Sequence, residues 1–191
     1  KIVFALKSYA HQSETSQRSS SLVTEGIDLV LMIYHSSFKH GIEVIKQYEP
    51  ISAILCYPDQ LNQVWTNLIH NAIQAMQGEG SLTIRVFQQD NVVTAQFTDT
   101  GSGIPPEIQT KIFDPFFTTK ESGLGTGLGL AAVQGIVSNY GGFITVESQS
   151  GAGSKFEVYF PAHHIADSHQ TNTHELSLPE GAGELILVID D

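Results

Sequence analysis

Three short segments carry the residues best suited to chemistry. The first centres on Asp99. Period-two alternation places Val93, Ala95, Phe97 and Asp99 on one strand face, which the apolar members assign to the core. A carboxylate there is costly unless donors reach it. The chain continues Asp99-Thr100-Gly101-Ser102-Gly103-Ile104, and its two glycines let backbone pass close to a flat ligand. A carboxylate at a strand end can accept the amino hydrogen of adenine. It would reject guanine, which presents a carbonyl oxygen at that edge. The same letters also suit a turn-capping aspartate followed by a glycine turn.

The second segment is Gly123-Leu124-Gly125-Thr126-Gly127-Leu128-Gly129-Leu130, which runs straight into a helical pattern. A helix N-terminus offers unpaired backbone donors and a positive dipole end, both suited to phosphate. No lysine follows the last glycine as a Walker A loop requires. The third glycine of a dinucleotide fingerprint would fall on Leu128 or Leu130. A flexible hinge is the other reading of this run. The third segment carries Asn67 and Asn71, four residues apart and so one helical turn apart on one face. Amide oxygens are hard ligands that suit Mg2+, an ion that keeps most of its waters and leans on nucleotide phosphates. A pair of buried, hydrogen-bonded amides would show the same spacing.

These segments need elements to hold them. Helical spacing predicts a helix over residues 25–37, then short strands at 43–48 and 53–57. Pro58 suits the first turn of the next helix, which runs to Gln77 and is ended by Gly78. Leu61, Val64, Trp65, Leu68, Ala72, Ala75 and Met76 form its apolar stripe, flanked by the amides Gln63, Asn67, Asn71 and Gln74. A hairpin follows, 81–87 and 92–99, turning at Asp90-Asn91. A helix over 128–140 turns Leu130, Val133, Val137 and Tyr140 inward. A second hairpin, 143–147 and 155–160, closes the domain near Pro161. Strands and helices come in pairs, which predicts an α/β two-layer sandwich: a mixed sheet with helices on one face.

Composition narrows the partners. The 191 residues are 41% hydrophobic, with 9 Lys plus Arg against 20 Asp plus Glu, a formal net charge of −11. That balance argues against nucleic acid, whose phosphates call for clustered cations. Cys56 is the single cysteine, so no internal disulfide forms and a reducing, cytoplasmic compartment fits. No apolar run reaches the roughly 20 residues of a membrane span, so any membrane anchor of a parent protein is expected outside this piece.

In order and spacing the three segments resemble the ATP-binding superfamily of gyrase, heat-shock chaperone, histidine kinase and mismatch-repair ATPases. The details resemble bacterial sensor histidine kinases. Asn67-Leu68-Ile69-His70-Asn71-Ala72 resembles their asparagine box, and Asp99 to Ile104 the first glycine box. Ile112-Phe113-Asp114-Pro115-Phe116-Phe117 resembles the phenylalanine box. The run from Gly123 to Leu130 resembles the second glycine box, and Gly151-Ala152-Gly153-Ser154-Lys155-Phe156 the closing strand motif.

The resemblance implies roles. Asp99 binds the adenine amino group, Ser154 supports it through water, and Gly101, Gly103 and Ile104 line the purine. Asn71 coordinates Mg2+. Gly125, Thr126, Gly127, Leu128, Gly129 and Leu130 serve the phosphates. Residues 115–126 form a mobile lid anchored by Phe113, Phe116 and Phe117. Lys120, the one cation in that stretch, is a phosphate contact or else a solvated loop lysine. Hydrolysing relatives carry a glutamate where this chain has Asn67, and an amide is no general base toward water. ATP is therefore expected to be held for transfer of its γ-phosphoryl to a histidine on a helical dimerisation domain. Many relatives place a cation at the position of Gln74, so this chain is expected to rely more on Mg2+, Lys120 and the lid backbone.

On this reading residues 1–17 are the end of a dimerisation helix and 18–161 the ATP-binding domain. Residues 162–183 are a linker, and 184–191 the first strand and acidic pair of a receiver domain, as in hybrid kinases. The strand ending in Asp190-Asp191 also suits an extra edge strand. His174-Glu175-Leu176-Ser177-Leu178-Pro179 matches the acceptor pattern by letter but follows the catalytic domain, in a glycine-bearing linker. His11 lacks the pattern. The acceptor histidine is therefore expected upstream, in a homodimeric parent that also engages a receiver domain or response regulator. The rivals are a true ATPase of the same fold and a nucleotide-binding module that only regulates.

Overall fold

The computed structural model describes residues 18–39, 41–120 and 125–162. The expectations for residues 1–17 and 163–191 lie outside the described residues. The elements in chain order are β1 (Ser19–Ser21), α1 (Val23–Ile33), α2 (His35–Phe38), β2 (Ile42–Tyr48), β3 (Ile54–Cys56) and α3 (Pro58–Met76). They continue with β4 (Gly80–Gln89), β5 (Val92–Asp99), α4 (Pro106–Gln109), α5 (Gly129–Asn139), β6 (Phe143–Ser148) and β7 (Ser154–Pro161). Five strands form one sheet in the order β2-β4-β5-β7-β6, while β1 and β3 pair separately. The β2–β4 pair is parallel and the other pairs of the large sheet are antiparallel. This is the mixed sheet with helices on one face that the sequence predicts.

Strand parity decides which face is covered. Leu82, Ile84 and Val86 of β4, Val93, Ala95 and Phe97 of β5, and Phe156, Val158 and Phe160 of β7 are all buried. The alternate positions carry polar and charged groups that pair across strands, among them Gln96 with Glu157 and Lys155 with Glu147. The helices cover the apolar face with Ile27 and Val30 of α1, Trp65 and Ile69 of α3, and Val133 and Val137 of α5. Each fully buried aliphatic side chain contributes about 2 kcal/mol. Trp65 is the hub, stacked 5.7 Å from Phe97 and edge-on 6.1 Å from Phe160.

Some boundaries differ from expectation for local reasons. The first helix starts at Val23 and breaks at Tyr34, after which a separate turn covers His35–Phe38. Gln77, not Gly78, takes the left-handed position that stops α3, at φ 53°. Ala75 is only half-buried, and Ile69 takes its place in the core. The polar stretch Ser19–Ser21 pairs with Ile54–Cys56, because a strand needs backbone partners and not an apolar face.

Candidate nucleotide site

Helix α3 is the rail along which the three segments meet. Its first turn is pinned through Tyr140, whose hydroxyl accepts from the Tyr57 amide at 3.0 Å and donates to Gln60 Oε1 at 2.7 Å. Tyr140 closes α5. At the other end of α5, a Cβ added to Gly129 would lie 3.3 Å from Asn67 Oδ1. The two helices therefore run antiparallel, and the N-terminus of α5 opens beside Asn67. Further along α3, the loop after Asp99 sits on the last turn. The Ser102 amide donates to the Ala75 carbonyl at 3.0 Å, and an added Cβ on Gly101 would stand 2.6 Å from the Ala75 carbonyl carbon. One face of α3 thus presents Ala75, Asn71 and Asn67 in succession, over about 12 Å at 1.5 Å per residue.

At the loop end the polar groups are held within the protein. Asp99 is 5% exposed and Ser154 6%. Strand register aligns Leu82, Asp99, Ser154 and Ser148 in one row across β4, β5, β7 and β6. The Gly101 amide donates to Asp99 Oδ1 at 2.8 Å. Burial pushes the Asp99 carboxyl above the ordinary aspartate range, and backbone donors at Gly101 and Ser154 offset part of the rise. Ser148 is a residue that sequence reasoning missed. Its Oγ accepts from the Ile104 amide at 2.8 Å, donates to the Gly153 carbonyl at 2.8 Å and lies 2.9 Å from Ser154 Oγ. Gln109 Nε2 adds bonds to the carbonyls of Ile104 and Ser148, both at 2.8 Å. The signal was available in parity, since Ser148 shares a face with Ile144 and Val146, but its meaning needed the strand register.

The glycines here have a reason beyond a flat ligand. Gly103 has φ +68°, and an added Cβ would lie 2.0 Å from the Gln149 carbonyl oxygen. Crowding at Gly101 and Gly103 comes from the chain's own backbone.

The opposite end of the face is unlike it. Asn67 and Asn71 are half-buried, yet neither side chain has a hydrogen-bond partner among the described residues. That removes the reading of a self-satisfied amide pair. Gln74, one turn from Asn71 back toward Ala75, accepts from Lys120 Nζ. Desolvation lowers the Lys120 pKa, and desolvation together with the Lys120 charge lowers that of His70.

The loop over this end is tied at its base. The Phe116 amide donates to the Gly127 carbonyl at 2.9 Å. Gly127, at φ +66°, would place a Cβ 2.3 Å from the Phe116 carbonyl carbon. Thr126 Oγ1 accepts from the Leu128 amide at 3.4 Å. Phe113, Phe117 and Leu130 pack against the core. Phe116 does not anchor the loop as expected: it is 76% exposed and holds φ 68°, a left-handed value rare for a bulky residue. Its backbone, pressed by Gly127, fixes the turn and throws the ring outward. Residues 121–124 of the expected lid lie outside the described residues.

Two features lie elsewhere. A shallow cleft lined by Arg18, Tyr140 and Pro161 sits at the far end of β7, where Pro161 pairs with Val92, and is no part of this site. Among the described residues no group of three or more His, Cys, Asp or Glu is placed to hold a metal. The donor set that fits Mg2+ is the oxygen of an unpartnered Asn71 amide, one turn from Asn67, which stands beside a helix N-terminus that suits phosphate.

A buried strand-end acid, a helix bearing free amides and a glycine turn opening a second helix together define an ATPase-type nucleotide domain. Residues 56–164 match the model of the histidine kinase-, DNA gyrase B- and HSP90-like ATPase family, and the chain belongs to that family, among the catalytic domains of sensor histidine kinases. It is 43% identical to the sensor histidine kinase ZraS of Salmonella typhi over 157 residues, covering 80% of this chain and 32% of ZraS. It is 41% identical to the sensor kinase CckA of Brucella abortus over 117 residues, covering 53% of this chain and 12% of CckA. The catalytic domain of histidine kinase ThkA, in a nucleotide-free form, superposes with a TM-score of 0.69 at 29% identity, covering 76% of this chain and 95% of that domain. The chain thus spans a third or less of these two curated relatives. Among the described residues no helix is long and apolar enough to cross a membrane.

Proposed function

We propose that this domain binds ATP with Mg2+ and passes the γ-phosphoryl group to a histidine on a helical dimerisation domain of the same protein. The observation that carries the reading is the contrast along α3: a buried, backbone-braced Asp99 at one end and unpartnered Asn71 and Asn67 toward the other, with Asn67 beside the α5 N-terminus. Asp99 accepts the adenine amino hydrogens, with Ser154 and Ser148 bracing its surroundings and Gly101, Gly103 and Ile104 lining the purine. The amides of Gly127, Gly129 and Leu130 face the phosphates, with Gly125, Thr126 and Leu128 shaping that turn. Phe113 holds the loop base to the core. Asn71 supplies one oxygen to the metal, which when bound neutralises phosphate charge and aligns the transferred group. Asn67 stands beside Gly129 as an amide and cannot activate water, so the bound nucleotide is kept for a protein acceptor.

The parent is a homodimer whose acceptor histidine lies upstream. The phosphoryl group then moves on to a receiver domain or response regulator. The domain works on the cytoplasmic side, without nucleic acid and without direct membrane contact.

The test mixes the chain, γ-labelled ATP and the parent's upstream helices. Acid-labile, base-stable label on those helices is the expected result. Release of inorganic phosphate with no labelled protein would instead mark an ATPase, and nucleotide binding without either would mark a regulatory module.

A further inference from the structure

The Lys120 ammonium is held by a neutral partner. Lys46 pairs with Asp28, Arg85 with Glu49 and Lys155 with Glu147 and Glu157. Lys120 has no carboxylate partner among the described residues and donates to the neutral Gln74 Oε1. Gln74 shares the α3 face with Asn71 and Asn67, at spacings of three and seven residues. The Lys120 stem is steadied from the other side, since an added Cβ at Gly125 would lie 3.1 Å from Lys120 Cδ. A carboxylate at position 74 would fix the ammonium and cancel its charge. An amide oxygen fixes it and leaves the full charge available. In a chain of formal net charge −11, an uncompensated cation beside free amides is what a polyanionic ligand requires.

We propose that Gln74 is a positioning residue for nucleotide phosphates: its amide oxygen holds Lys120 over the amide face of α3, so that a loop-borne cation reaches the phosphates of a bound nucleotide. The inference rests on the nucleotide reading above and adds a coupling between two residues far apart in sequence. Phosphate selectivity then depends on Gln74 although it need not touch the ligand.

The experiment measures dissociation constants of the 191-residue chain for Mg·ATP and for AMP, which keeps the purine and drops two phosphates. Lys120→Ala and Gln74→Ala should each weaken ATP binding by roughly tenfold and leave AMP unchanged. The double variant should be no weaker than Lys120→Ala alone, because both remove one interaction. Gln74→Glu should also weaken ATP, since it keeps the contact and cancels the charge. Gln74→Lys placed in the Lys120→Ala chain should recover most of the loss. Both side chains lie at the surface, so circular dichroism should show an unchanged fold. ATP affinity unchanged in Gln74→Ala, or losses that multiply in the double variant, would overturn the coupling while leaving the nucleotide reading intact. A chain that binds neither nucleotide would overturn both.

Discussion

Asp99 ends β5 with its carboxylate braced by the Gly101 amide at 2.8 Å, inside a row of side chains fixed by strand register. Asn67 and Asn71 stand on helix α3, yet their amides meet no described partner. The difference lies in what satisfies the polar groups. At the strand end the protein does most of it, so that end is built before any ligand arrives and its shape is part of the stability of the fold. On α3 the amides and the Lys120 charge are left for something else to satisfy. The two ends should therefore respond differently to substitution, one through stability and the other through affinity.

The largest effect should separate two glycines. Gly103 has φ +68° and a Cβ there would meet the Gln149 carbonyl at 2.0 Å, a contact between backbones that neither can relieve. Gly103→Ala should cost about 3 kcal/mol or more, read as a drop in the denaturation midpoint. At Gly129 the nearest atom to an added Cβ is Asn67 Oδ1 at 3.3 Å, the end of a side chain that can turn aside. Gly129→Ala should leave stability within about 0.5 kcal/mol while weakening ATP binding. Equal stability losses in the two variants would erase the distinction.

Next in size is Asp99→Asn, which keeps the shape and presents an amide where the acceptor carboxylate stood. ATP affinity should fall by roughly 100-fold, and affinity retained within a few-fold would remove Asp99 from the purine site. The same variant carries a pH signature. Burial raises the Asp99 carboxyl pKa in the folded chain, so the folded state binds its proton more tightly than the unfolded state does. The stability contribution of Asp99 is then fully present below its unfolded pKa and is lost as pH rises through the folded value. Asn does not titrate there. The stability of the variant relative to the parent chain should therefore rise from acid toward neutral pH, and a flat difference would show that Asp99 is not desolvated.

How much of this was legible follows from which interactions are local. Strand parity placed Asp99 and Ser154 on the inner face, and helical spacing put Asn67, Asn71 and Gln74 on one face of α3, because both patterns repeat within a few residues. Ser148 was not legible as a partner of Ser154, because the pairing depends on the register of β6 on β7. The crowding at Gly101 comes from Ala75, 26 residues earlier, and that at Gly103 from Gln149, 46 residues later; no local pattern records either. Phe116 reads as one of three aromatic anchors, and only the backbone of Gly127 pressing on it shows why its ring faces out. The bond from Lys120 to Gln74 was equally invisible, since it joins a loop to a helix 46 residues away.

The smallest of the three effects is the most specific. If Asn71 offers its amide oxygen to Mg2+, the metal should strengthen ATP binding in the parent chain, and Asn71→Ala should remove that benefit. Affinity at saturating Mg2+ should fall by about tenfold, the worth of one charge-assisted contact, and become nearly independent of metal. The side chain has no described partner to lose and is only half-buried, so the fold should survive with its denaturation midpoint unchanged. AMP carries too little phosphate to depend on the ion and should bind the variant as it binds the parent chain. Metal dependence that persists in Asn71→Ala would move the ion elsewhere along α3. A large stability loss would instead show that the α3 amides belong to the structure, as the strand-end groups do, and the contrast between the two ends would fail.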